Sequence, residues 1–358
     1  MFFGNVRCER CSVELGYEPK SNQMVALQRE GDRLVATAGR RAGTAWRYCS
    51  NHAYDVCNWL LPADAPTDDG LCRACQHNLT IPDTSVPENV TLWRKMEEAK
   101  HWLIYTLLRL QLPLYIRARP EVKAVPANEW RAEARADGLG FEFLRSDDPK
   151  HEVMTGHDDG LITIALAEAD DAEREKRRTA LGEPYRTLLG HFRHEVGHWY
   201  WDQLVRDTRW HEPFTALFGD ASQDYAEALK RHYASGPKPD WQDQLISTYA
   251  GSHPWEDFAE TWAHYLHMID TLETGRSFGI ALSPRGDHDN ILTTSLDFNV
   301  YDPAATIETL TTAWVALSSA LNSFNRSMGL ADAYPFVLSP KVIEKLGFIH
   351  ALVHDRPA

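Results

Sequence analysis

His194-Glu195-Val196-Gly197-His198 reads H-E-x-x-H, a spacing with a definite chemistry on a helix. Residues four apart share one face, with Cβ atoms about 5–6 Å from each other. Two imidazoles so placed can grip one Zn²⁺ through nitrogen. The intervening Glu195 then falls beside the ion, where it can act as general base on zinc-bound water. Bound Zn²⁺ brings the pKa of that water to about 7. The bland alternative is a core helix with two incidental histidines in a chain that has sixteen.

A catalytic zinc takes a third protein ligand and keeps its fourth position for water. The best source is S-H-P-W-E-D-F-A-E-T-W-A-H-Y at 252–265. Pro254 suits a helix start, and Glu256, Glu260 and His264 then stack on one face. One carboxylate can bind the metal while the other hydrogen-bonds a liganding histidine. The spacing does not say which does which. A solvated acidic face is the other reading. Against it, Trp255, Phe258, Ala259, Trp262 and Leu266 make this helix apolar nearly all round, and buried carboxylates are rare unless paired or metal-bound. The oxyanion of a peptide hydrolysis needs a further donor, and Tyr249, His253, His264 and Tyr265 are unranked candidates.

The elements that must carry these residues follow from periodicity. Leu188, Leu189, Phe192, Val196 and Trp199 recur at helical spacing, with Pro184 at the first turn. Further helices are expected over 88–110, 220–233, 255–272 (stopping near Thr274-Gly275), 304–328 and 340–354, with a loop over 276–303. Strands are expected at 23–27, 33–36, 141–144 and 160–165. I-P-D-T-S-V-P at 81–87 is a turn-rich exit that divides the chain into 1–88 and 89–358. The fold class is α+β: a small Cys-rich module, then a mostly α domain with a small sheet.

Cys8-x₂-Cys11 and Cys72-x₂-Cys75 are knuckle-type pairs, with Cys49 and Cys57 between them. Four thiolates in tetrahedral array make a closed structural zinc site. Either Cys8, Cys11, Cys72 and Cys75 or Cys49, Cys57, Cys72 and Cys75 can form it. His52 and His77 are alternative ligands, more readily read as surface histidines. The start of the chain has no apolar signal-peptide core, so six cysteines read as metal ligands in a reducing compartment, the cytoplasm. The most apolar run, 102–116, is broken by Arg109, Gln111 and Pro113 and is too short for a bilayer, which excludes a membrane partner. Net charge is −14, and residues 1–88 carry nine Lys+Arg against eleven Asp+Glu, which argues against nucleic acid.

The blocks C-N-W-L-L-P-A-D at 57–64, L-C-R-A-C-Q-H-N-L-T-I-P-D at 71–83, H-F-R-H-E-V-G-H-W-Y-W at 191–201 and Y-A-G-S-H-P-W-E-D-F-A-E-T-W-A-H-Y-L-H at 249–267 carry a family resemblance. The chain resembles bacterial zinc-binding metallopeptidases that join an N-terminal zinc ribbon to a peptidase-like domain. The resemblance implies a zincin-like fold and a gluzincin-like site. There the first glutamate of E-D-F-A-E binds zinc and the second orients a histidine, which makes Glu256 the ligand and Glu260 the orienter. In zincin folds the strand before the active-site helix can pair with an extended substrate, a role for 160–166. Relatives usually carry a further C-x₂-C before the Phe-rich start. This chain does not contain it, which favours Cys49, Cys57, Cys72 and Cys75 as the intact site.

The expectation is thus a zinc metallopeptidase acting on a peptide or protein substrate, with one catalytic zinc and at least one structural zinc. His194, His198 and Glu256 hold the catalytic metal and Glu195 is the base. The alternative is a zinc-stabilised interaction module whose H-E-x-x-H site is vestigial or structural, with His191 or His253 as a fourth ligand. Glu195 speaks against it, because a structural site has no use for a base.

Overall fold

In the computed structural model, which describes residues 3–31, 33–39, 42–65, 69–118, 132–146, 153–181 and 185–355, short β-forming runs open the chain as a meander. The strands are β1 (Glu14–Glu18), β2 (Gln23–Glu30), β3 (Arg33–Ala36), β4 (Ala45–Tyr48) and β5 (Leu60–Pro62). They pair antiparallel in sequence order. Asn22 and Gly31 turn the first two hairpins with φ of 56° and 60°, a conformation those residue types tolerate. Val25, Leu27, Leu34, Ala36, Trp46 and Leu60 form the core of this sheet. A bridge from Tyr17 to Trp59 brings β1 back beside the start of β5. The bridge residue Trp59 stands two positions after Cys57.

β6 (Asn78–Thr80) leads into α1 (Pro87–Arg109), with proline at its first turn and Trp93, Met96, Leu103, Ile104 and Leu107 buried. After the short pair β7 (Ile116–Arg117) and β8 (Ala134–Arg135) come β9 (Gly140–Leu144), β10 (Gly156–Asp158) and β11 (Leu161–Ala165). These three and β6 form a second sheet of order β10-β11-β9-β6. β11 has β10 on one side and β9 on the other. Residues 161–163 thus have strand partners on both sides, which leaves no free edge there for the expected pairing of 160–166 with a substrate. All of this lies in one compact unit, Met1–Arg177.

The second unit, Arg178–Ala358, is helical. The chain enters it within α2 (Asp171–Leu181) and continues through α3 (Leu188–Leu204), α4 (His211–Phe218), α5 (Tyr225–Ser235), α6 (Trp241–Gln244), α7 (Pro254–Ser277), α8 (Ile307–Ser327) and α9 (Pro340–His354). α3 starts later than expected, because Thr187 is its cap and accepts the Gly190 N–H at 3.0 Å; Pro184 lies outside the described residues. α5 likewise starts after 220, where Asp224 accepts from the Glu227 N–H at 2.9 Å. α7 runs through the expected stop at Gly275. That glycine serves packing: a Cβ there would come within 2.4 Å of Leu296 Cδ1, and the left-handed residue past the helix end is Gly279. The expected loop 276–303 holds a two-residue pair, β12 (Ala281–Leu282) with β13 (Thr294–Ser295).

α3 and α7 cross at Gly197. A Cβ on Gly197 would lie 3.0 Å from Ala259 Cα and 3.3 Å from Trp262 Cβ. That contact lets the motif helix and the acidic helix meet face to face, and it sets the geometry of the site.

Candidate metal centres

α3 presents His194 and His198 one turn apart, their rings edge-on at 4.9 Å. α7 brings Glu256 against both. Its Oε2 lies 2.9 Å from His194 Nε2 and 3.4 Å from His198 Nε2, and this buried oxygen has no hydrogen-bond partner. Ligand-capable atoms of the three residues all lie within 4.8 Å of one another. Two ring nitrogens and a carboxylate oxygen that converge without hydrogen-bond geometry fit a cation held between them.

The surroundings orient each member. Glu256 Oε1 accepts from the Tyr225 hydroxyl at 2.7 Å, which leaves Oε2 for the histidines. Glu260 Oε1 sits 2.7 Å from His194 Nδ1, and its Oε2 accepts from Ser247 Oγ at 2.6 Å. The two carboxylates thus address opposite nitrogens of one ring. Burial works against a charged His194, yet Glu256 and Glu260 hold its imidazolium well above the usual range. Burial likewise opposes ionised Glu256, but His198 and His194 hold its carboxyl well below its ordinary value. A cation in that spot would supply the positive charge that the Glu256 carboxylate otherwise draws from the two imidazoles. Glu195, between the two histidines, has its carboxyl raised by burial, with both imidazoles opposing.

The four donor candidates separate. His253 caps α7, with Nδ1 accepting from the Trp255 N–H at 3.1 Å and Nε2 3.2 Å from the Gln223 carbonyl. Tyr265 bonds His350 at 2.9 Å, and His264 bonds Tyr334 at 2.8 Å. Tyr249 is the one of the four whose ring packs on His194, centroids 5.9 Å apart. Sequence reasoning missed Tyr225, which reaches Glu256 from α5; nothing in its local pattern marks it.

In the first unit Cys49, Cys57, Cys72 and Cys75 converge, all buried, with Sγ atoms within 4.8 Å of one another. Cys57 and Cys72 Sγ are 3.7 Å apart. Backbone N–H groups point into the cluster, Cys72 N to Cys49 Sγ at 3.3 Å and Trp59 N to Cys57 Sγ at 3.5 Å. Cys8 and Cys11 stand apart from this group, half-buried and exposed. Of the two histidines weighed as surface residues or ligands, His77 is not at the surface, and neither belongs to the four-cysteine group. His77 is fully buried and His52 partly so, and each holds a carbonyl at 2.9 Å, Leu139 and Cys57 respectively. Burial pushes the His77 imidazole down to about 3. Sequence reasoning also missed Glu97 and His101 of α1, which sit against these thiols.

A family model described as "putative zinc-binding metallo-peptidase" matches residues 89–352, and one described as a zinc-ribbon domain matches residues 1–86. The chain belongs to that metallopeptidase family. Uncharacterized proteins of Mycobacterium bovis and Mycobacterium tuberculosis are each 37% identical to it over 355 residues, covering 99% of this chain and 92% of the relative. No solved structure matches. The α+β chain is thus a Cys-rich zinc-ribbon region followed by a mostly helical domain. Among the described residues no helix is long and apolar enough to cross a membrane.

Proposed function

We propose that this protein hydrolyses peptide bonds with one zinc ion held by His194, His198 and Glu256, and that a second zinc held by Cys49, Cys57, Cys72 and Cys75 is structural. The observation that carries the reading is Glu256 Oε2, a buried oxygen without a hydrogen-bond partner facing two Nε2 atoms. When bound, the ion supplies a coordinated water of pKa about 7 and polarises the scissile carbonyl. Glu195 accepts the water's proton and returns it to the leaving nitrogen, and its raised carboxyl pKa suits both steps. Glu260 keeps the proton of His194 on Nδ1, so that Nε2 offers its lone pair. Tyr225 holds the other oxygen of Glu256. Tyr249, packed on His194, is the proposed donor to the oxyanion.

The competing reading, a structural site, needs a fourth protein ligand. Among the described residues the group of His194, His198 and Glu256 has three members, and both ring nitrogens of His253 already face backbone partners. This supports a coordination position left for water. A peptide or protein substrate follows, without nucleic acid, since the acidic chain has no basic surplus to hold phosphates. Six free cysteines fit a reducing cytoplasm.

The test is metal analysis of the unaltered chain beside His194→Ala, followed by digestion of a peptide library. We expect two zinc equivalents and cleavage for the first, and one equivalent without cleavage for the second. Metal retention in the variant, or no cleavage by the zinc-replete chain, would remove the peptidase reading.

A further inference from the structure

His101 of α1 belongs to neither proposed ligand set, and its ring stands against the cysteine cluster. Its Nε2 faces three acceptors: Cys57 Sγ at 3.4 Å, Cys75 Sγ at 3.9 Å and Glu97 Oε2 at 3.6 Å. A ring nitrogen so surrounded carries either a hydrogen or a metal. Glu97 decides between them. Its Oε1 accepts from Asn78 Nδ2 at 2.6 Å and Trp93 Nε1 at 3.0 Å, and the Lys100 ammonium lies 3.0 Å from Oε1 and 2.8 Å from Oε2. That fully buried ammonium already matches the carboxylate charge. A second dication between Glu97 and Cys75 would be set against it, whereas an N–H is not.

The ring is also fixed in place. Trp59 stacks on it with centroids 5.2 Å apart and planes at 23°. The ring also lines a cavity of about 500 Å³, together with Phe3, Cys57, Asn58, Arg94 and Glu98. Cys57 is the member of the four-cysteine group that lines this cavity. Any chelator, oxidant or competing metal using that route meets Cys57 beside the imidazole. Four thiolates around Zn²⁺ carry a net charge of −2, and each N–H aimed at sulfur stabilises them against protonation and departure.

We propose that His101 is a positioning residue of the cysteine-held zinc: it donates its Nε2–H to the Cys57 and Cys75 thiolates where Cys57 borders the cavity, so that it sets how long the metal stays. The proposal rests on the reading that these four cysteines hold zinc. The signal was absent from the sequence because His101 lies 44 residues from Cys57, within the apolar pattern of α1.

The test uses the full-length chain loaded with cobalt(II), whose thiolate charge-transfer band reports the cysteine site independently of hydrolysis. EDTA is added and the decay of the band is followed. His101→Ala should keep the band and the metal stoichiometry but release cobalt about 10–100-fold faster. His101→Gln, which keeps an N–H donor, should recover much of the loss. Where the alanine variant folds poorly, His101→Leu supplies bulk without a donor, and only Leu, not Gln, should release fast. Equal release rates in all variants overturn the proposal, and so does loss of a metal equivalent, which makes His101 a ligand. Absence of the band in the unaltered chain removes the cysteine zinc assignment and the proposal together, whereas a band with unchanged kinetics removes the proposal alone.

Discussion

The two clusters differ in what they leave open. In the first unit four thiols meet, all buried, with N–H groups, a histidine and a buried ammonium around them. Four protein ligands would fill the tetrahedral sphere of a zinc ion. In the second unit three groups meet, from two crossing helices, and His194 is partly exposed. Behind them stand Glu260, against His194 Nδ1, and Tyr225, which donates to Glu256 Oε1. On the proposed reading, ligand count separates the two centres. A filled sphere can only stabilise; one with a vacant position can also react.

The largest expected effect breaks the molecule differently at the two sites. Structural zinc in small modules is worth roughly 10–16 kcal/mol of apparent binding free energy. Cys75→Ser should therefore abolish the thermal transition of the first unit in calorimetry. His198→Ala should leave that transition in place while removing one zinc equivalent and all hydrolysis. Simultaneous loss of both metals from a still-folded His198→Ala chain would make the two-site picture wrong.

Next in size is the base. Glu195→Gln should retain both metals and lower kcat/KM by about 10²–10⁴. The unaltered chain has a matching pH dependence. Glu195 works when ionised, and burial raises its carboxyl, so activity should fall as pH drops through a value above the ordinary glutamate pKa of about 4.3. An acid limb at or below that value in a pH–rate profile would take Glu195 out of the role.

A smaller contrast sharpens the division within the second site. Glu256→Gln should weaken zinc binding more than Glu260→Gln, whose cost is expected at about 10–100-fold in affinity or activity because it acts through His194 Nδ1. Competition against a chromophoric chelator measures both. If Glu260→Gln strips the metal more readily, the roles of the two carboxylates are exchanged.

The smallest effect is steric. Gly197→Ala places a methyl 3.0 Å from Ala259 Cα, and backbone cannot yield as a side chain does. Overpacking of this kind costs about 1–3 kcal/mol, partly offset by the better helix propensity of alanine. A lowered Tm of the second unit with the first unchanged is the expected result, and an unchanged Tm for both would show that the helices move apart freely.

Read locally, the sequence yields the motif chemistry and most long elements. H-E-x-x-H places two imidazoles and a carboxylate by helix geometry alone, and α1, α7, α8 and α9 are visible as long apolar periodicities. Helix starts were less legible, because Thr187 and Asp224 act through single side-chain caps. The mid-helix glycines misled in one place, since Gly275 looks like a stop until Leu296 is seen against it. Strand 161–165 is visible as a strand, but its central position depends on partners at 140–144 and 156–158 that periodicity cannot rank.

By itself the sequence determined which residue types stand four apart on a helix, and hence what the second site can do. Only the tertiary structure decided which of two stacked glutamates faces Nε2 and which faces Nδ1, for both share one helical face and the crossing at Gly197 selects between them. It also decided that Cys49 and Cys57, rather than Cys8 and Cys11, meet Cys72 and Cys75. Thiol spacing is silent on that choice, because the antiparallel pairing of β4 with β5, and not distance along the chain, brings Cys49 beside Cys57. The partners Tyr225 and His101 come from elsewhere in the chain, where no local pattern could announce them.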